Sequence, residues 1–223
     1  ALITDAQGHK LGYENGKFVN EIPGAYDSVI KGAALVANHE PIYYLPASGD
    51  YSIDITGSSL SGQDTEELAL FGQGMAADVS NIKLDKGMDD QLSLSGQKLD
   101  FKAGEAESPD IKLAVEMGGK DYQVDINGLN AQSGQDISVS VDETTGKLAV
   151  KDSASTDESY NLTVTEEDAS GNHTFKHNGV DLAPGNTDYV DFGAWDDQGA
   201  LKVEVDQGSN GSIDQTVDEP NQP

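Results

Sequence analysis

The residues of this 223-residue chain best suited to chemistry are its carboxylates, 40 Asp and Glu against 13 Lys and Arg. One run sets them at a spacing with a recognised use. Calcium loops place oxygen-bearing groups at alternate positions and a glycine sixth, where the chain must turn sharply. Counted from Asp206, Asn210 falls fifth, Gly211 sixth, Ser212 seventh with its carbonyl to offer, and Asp214 ninth. Asp206, Asn210, Ser212 and Asp214 are therefore the candidate ligands of a Ca2+ ion. The match is incomplete, because the third position is Gly208 and the closing acid, Asp218, stands thirteenth where the pattern wants twelfth. The same residues also spell a plain Gly-Ser-Asn-Gly hairpin turn.

The histidines are His9, His39, His173 and His177. On a strand His173 and His177 would share a face about 13 Å apart, too far for one metal. His39-Glu40-Pro41 lacks the second histidine of a zinc-protease helix, and its proline breaks such a helix. The acidic runs Asp85–Asp90, Glu166–Asp168 and Asp196-Asp197 read as solvated faces. A carboxylate pair for glycoside hydrolysis has no aromatic-rich cleft to serve, since aromatics make 6% of the chain and Trp195 is the sole tryptophan. No nucleophile elbow, P-loop or dinucleotide glycine motif follows a strand. The absence of cysteine excludes thiolate catalysis, disulfides and Cys-bound metals. The expectation is a protein that is not an enzyme.

A formal charge of −27 and a pI near 4.1 repel nucleic acid and anionic lipid, and leave metal ions or basic proteins as charged partners. No apolar run approaches the roughly 20 residues of a membrane-spanning helix. Ala1-Leu2-Ile3-Thr4 reads as the middle of a strand, which predicts a chain cut from a longer, secreted precursor.

The elements that must carry these residues show a two-residue period almost throughout. Tyr51–Gly57, Tyr122–Gly128, Asp136–Val141, Tyr160–Thr165 and Leu201–Val205 alternate apolar with polar, as strands with one buried face do. Turn formers separate them at Pro46–Asp50, Met117–Lys120, Asp142–Gly146, Asp168–Asn172 and Pro184–Asn186. Only Gln63–Gly74 suits a helix, and it suits a strand after a polar loop equally well. The expected class is all-β, two tandem antiparallel β-sandwich (Ig-like) domains with little helix. Gly49–Gly57 echoes Lys120–Gly128, and Ser-Gly-Gln-Asp follows each at 61–64 and 133–136. The small, polar stretch Lys102–Pro109 has the composition of a linker, which sets the domains at 1–104 and 105–216 with a polar tail at 217–223. Asn161, Asn172 and Asn210 each open a glycosylation triplet.

Three runs support a comparison: Thr4-Asp-Ala-Gln-Gly-His-Lys-Leu-Gly-Tyr13, Asn20-Glu-Ile-Pro-Gly-Ala25 and Tyr44-Leu-Pro-Ala-Ser-Gly-Asp-Tyr51. This opening resembles that of β-sandwich accessory modules of large secreted prokaryotic cell-surface proteins and hydrolases. Ala6 stands in place of that family's proline, and His9-Lys10 in place of its paired arginines. Asp191-Phe-Gly-Ala-Trp195 and the Asp206–Asp214 loop resemble its close. The resemblance implies a non-catalytic extracellular structural or adhesion module. Its partners would be other domains of a larger surface protein, with no nucleic acid and no membrane span. The alternatives are a self-assembling filament or surface-layer subunit joined by strand addition, and a carbohydrate-binding or enzyme-accessory domain.

Overall fold

Alternating side chains give each strand one dry and one wet face, so strands must pair edge to edge and the sheets must then stack. The computed structural model describes residues 1–28, 41–72 and 74–222, and among them it has 19 strands and no helix. They are β1 (Leu2–Asp5), β2 (Lys10–Glu14), β3 (Lys17–Asn20), β4 (Tyr26–Ser28), β5 (Ile42–Tyr44), β6 (Tyr51–Thr56), β7 (Asp64–Phe71), β8 (Met75–Leu84), β9 (Asp89–Ser95) and β10 (Lys98–Lys102). There follow β11 (Asp110–Met117), β12 (Lys120–Asn127), β13 (Asp136–Asp142), β14 (Lys147–Asp152), β15 (Glu158–Asp168), β16 (Gly171–Leu182), β17 (Thr187–Asp191), β18 (Leu201–Asp206) and β19 (Gln215–Glu219). Every ladder is antiparallel. The ambiguous stretch after Gln63 is β7, a strand alternating half-buried and exposed residues, as its two-residue period and edge position require.

An 11-stranded sheet runs β19-β18-β17-β14-β13-β10-β9-β6-β1-β2-β3, and a 6-stranded sheet runs β16-β15-β12-β11-β8-β7. β4 and β5 pair in a separate two-stranded sheet, from which Tyr43 packs against the core. The two large sheets form a sandwich-like pair around one buried cluster, to which Leu11, Ile53, Leu92 and Phe101 of the first and Val79, Leu113, Val124 and Phe175 of the second belong. Between them Phe192 meets Tyr122 at a ring separation of 5.1 Å, and Trp195 meets Phe175 edge-on at 5.9 Å. The run Asp191–Trp195 is thus a core plug.

Chain order divides both sheets at the same place. β1–β3, β6, β9 and β10 form one contiguous block of the large sheet, with β7 and β8 in the small one; β11 onward supplies the rest. The blocks join where β10 pairs β13 and β8 pairs β11, so both ladders run unbroken across this seam. The crossover from β10 to β11 is Ala103–Pro109, the stretch whose composition predicts a linker. It is firmly held: Ala103 N–H donates to Gln135 O at 3.0 Å, and Glu107 and Ala131 exchange backbone hydrogen bonds. Gly104 is needed there, because a Cβ would lie 2.4 Å from the Asp89 carbonyl oxygen. The echoed segments occupy opposite layers, β6 between β1 and β9, and β12 between β11 and β15.

The polar tail is held in place as far as Gln222. Beyond β19 it crosses to β16, the edge of the other sheet, where Gln222 N–H donates to Lys176 O at 2.7 Å and Lys176 N–H donates to Asn221 Oδ1 at 3.0 Å. Among the described residues no helix is long and apolar enough to cross a membrane.

Candidate functional site

The four predicted calcium ligands do share one loop, between β18 and β19. The Asp206 carboxylate is 1% exposed; its Oδ1 accepts the Asn210 N–H at 2.8 Å and its Oδ2 the Gly211 N–H at 2.7 Å. Asp214 Oδ2 accepts the Gln207 N–H at 2.9 Å, and Asn210 Oδ1 accepts the Ser212 N–H at 3.0 Å. Gly208, Ser209 and Gly211 take positive φ, which bends successive amides inward. Side-chain oxygens that calcium would require therefore face N–H donors, and the loop is closed by its own hydrogen bonds. Ser209 Oγ ties it to Gly185 O at 2.8 Å.

The other sequence candidates scatter. His9 Nδ1 lies 2.9 Å from Asp5 Oδ2 in the β1–β2 turn, where Asp5 Oδ1 also accepts the N–H groups of Gln7 and His9. His173 Nε2 meets Ser170 Oγ at 3.1 Å. His39 lies outside the described residues. His177 is buried and clamps the tail, with Nδ1 2.8 Å from Pro220 O and Nε2 2.9 Å from Glu219 Oε2. Asp168 caps its turn through Ser170, whose hydroxyl and N–H hold that carboxyl below its usual range. Glu166 is fully buried and paired with Lys120. Of the candidate glycosylation sites, the Asn161 amide donates to Asn127 Oδ1 and the Asn210 amide to Gln207 O, each at 3.1 Å.

Two groups of buried carboxyls stand out that the spacing motifs do not contain. At the seam, Asp90 of β9 is 1% exposed and Glu107 of the crossover 8%, and each carboxyl acts on the other's ionisation. Burial, then the charge of Asp90, pushes Glu107 up to about 8. Glu105 beside them bonds Lys83 Nζ at 2.7 Å, which holds its carboxyl low. In the second half, Asp188 of β17 is fully buried, accepts the Tyr160 hydroxyl at 3.2 Å, and is pushed by burial up to about 7. Asp152 nearby is raised by burial as well.

The surface offers shallow relief and exposed aromatics. An open depression of about 290 Å³ lies on the outer face of β13, β14, β17 and β18, where Lys147 pairs with Glu204 at 2.6 Å near Tyr189. Tyr26 and Tyr44 stack across β4-β5 at 4.4 Å, and Tyr13 meets Phe18 across β2-β3 at 5.4 Å, all four rings exposed. Phe71, at the end of the edge strand β7, is 87% exposed. No protein-family model matches this chain, and no curated protein or solved structure matches it.

Proposed function

We propose that this chain is a non-catalytic extracellular structural or adhesion module of a larger surface protein, built as two Ig-like units fused side by side. The observation that carries the reading is the use of its ordered polar groups. Asp5 and Asp206 close turns, Glu105 and Glu107 pin the crossover, and His177 holds the tail. Such groups spend their hydrogen bonds on shape. Light scattering tests it: a module of this kind is a monomer of 23.5 kDa, and a polymer that grows with concentration overturns the reading.

That polymer would favour the second reading, a self-assembling subunit joined by strand addition. It is favoured by β7, an eight-residue edge strand carrying the exposed Phe71. The stacked Tyr26–Tyr44 pair favours the third reading, a carbohydrate-binding module, which saturable hits on a glycan array would support. A calcium ion at Asp206–Asp214 belongs to any of these readings. Millimolar calcium should then raise the melting temperature of the wild type but not of Asp206→Ala or Asp214→Ala; an equal response to magnesium points to charge screening alone.

A further inference from the structure

We propose that Asp90 and Glu107 share one proton and act as a pH-sensitive latch across the seam between the two halves of the sandwich. Each has one oxygen already satisfied by the backbone. Asp90 Oδ1 accepts the Gly104 N–H at 2.7 Å, and Glu107 Oε2 accepts the Lys83 N–H at 2.9 Å. The other two oxygens, Asp90 Oδ2 and Glu107 Oε1, are both buried without a hydrogen-bond partner. They belong to neighbouring carboxyls, and two such oxygens can satisfy one another only if one of them carries a proton. Glu107 is the holder: its O–H donates to Asp90 Oδ2.

The latch connects three elements. Asp90 belongs to β9 of the large sheet, Lys83 to β8 of the small one, and Glu107 to the crossover that joins the sheets. The charged groups around the pair are Lys83 and Asp85 from the end of β8, Asp89 on β9, and Glu105 on the crossover. Lys83 is the only cation in this group, and its ammonium goes to Glu105 at 2.7 Å and to Asp85 at 3.7 Å. Neither Asp90 nor Glu107 receives its hydrogen bond, so loss of the proton leaves two buried anions face to face. The crossover then loses its side-chain tie from Glu107 to β9 and keeps only the Gly104 N–H on Asp90 Oδ1.

The sign follows from linkage. The folded state retains this proton at a pH where the unfolded chain has released it, so the stabilisation is complete below the ordinary Glu value of 4.5 and is lost as pH rises through about 8. Melting of the whole chain between about pH 5 and pH 9 reads this directly, and the wild-type midpoint should fall by roughly 4 °C or more. In Glu107→Gln the amide donates permanently to Asp90, and most of the Glu107 share of that fall should vanish. Asp90→Asn supplies a donor from the other side and should act alike if the first variant folds poorly. An infrared band of protonated carboxyl in the wild type at neutral pH that loses the Glu107 component in either variant, leaving only what Asp188 contributes, is the second expected result. An unchanged pH slope in both variants overturns the proposal. So does a calcium-induced rise in the wild-type midpoint at pH 9 that Glu107→Gln removes, because a cation would then bridge the pair.

Discussion

Asp206 makes the residue-scale logic plain, because one buried carboxylate serves two amides at once. Asp206→Ala leaves the Asn210 and Gly211 N–H groups without their acceptor in a partly buried loop, a loss of about 1–3 kcal/mol. Urea unfolding in a chelating buffer should show it, because the role requires no metal. A variant as stable as the wild type would mean that water replaces the carboxylate. The sequence placed these residues in one loop correctly, since turn spacing is local. It was mute about what their oxygens touch, which depends on the φ values of Gly208, Ser209 and Gly211. For the buried acids a signal did exist. Asp90 is in phase with Leu92, Asp152 with Leu148 and Val150, Glu166 with Leu162 and Val164, and Asp188 with Val190. A carboxylate on the inward phase of a strand is the mark of a group held by tertiary contacts. Charge runs such as Asp85–Asp90 hide it, because the solvated and buried acids sit side by side.

At the scale of elements, the strand edges are treated unequally. β16 is covered by the tail, while β7 is an edge with a large ring at its end. Exposed edge amides invite pairing with another chain, and a covering segment suppresses it. Deleting residues 220–223 uncovers the Lys176 and Asn178 N–H groups and removes the acceptor of His177 Nδ1. Amide exchange at Lys176 and Asn178 should accelerate by about tenfold or more, with the middle of β12 unchanged. Unaltered exchange would show that the tail adds no protection. Most strands were readable from alternation, including β6, β12, β13 and β15. Tail docking was not, because polar and proline-rich residues have no period and their partner lies 45 residues away in Lys176. β7 was ambiguous for a related reason: an edge strand with little buried surface shows a weak pattern.

For the whole molecule, the crossover after β10 joins two blocks of strands, and the two ladders pass between those blocks without interruption. Composition could locate the crossover, since Lys102–Pro109 is small and polar. It could not reveal that β10 would pair β13, a contact across that crossover which only the stacked sheets enforce. Two blocks with shared ladders should lose structure as one cooperative unit. Trp195 makes this visible. It is the only indole in the chain, it is 6% exposed, and it lies against Phe175 within the second block. Its emission should be blue-shifted in the native state and should redden along the same urea curve as the far-ultraviolet circular dichroism of all the strands. A red shift lagging behind the dichroism would mean that the first block melts alone, which would turn this single fluorophore into a selective reporter on one half of the protein.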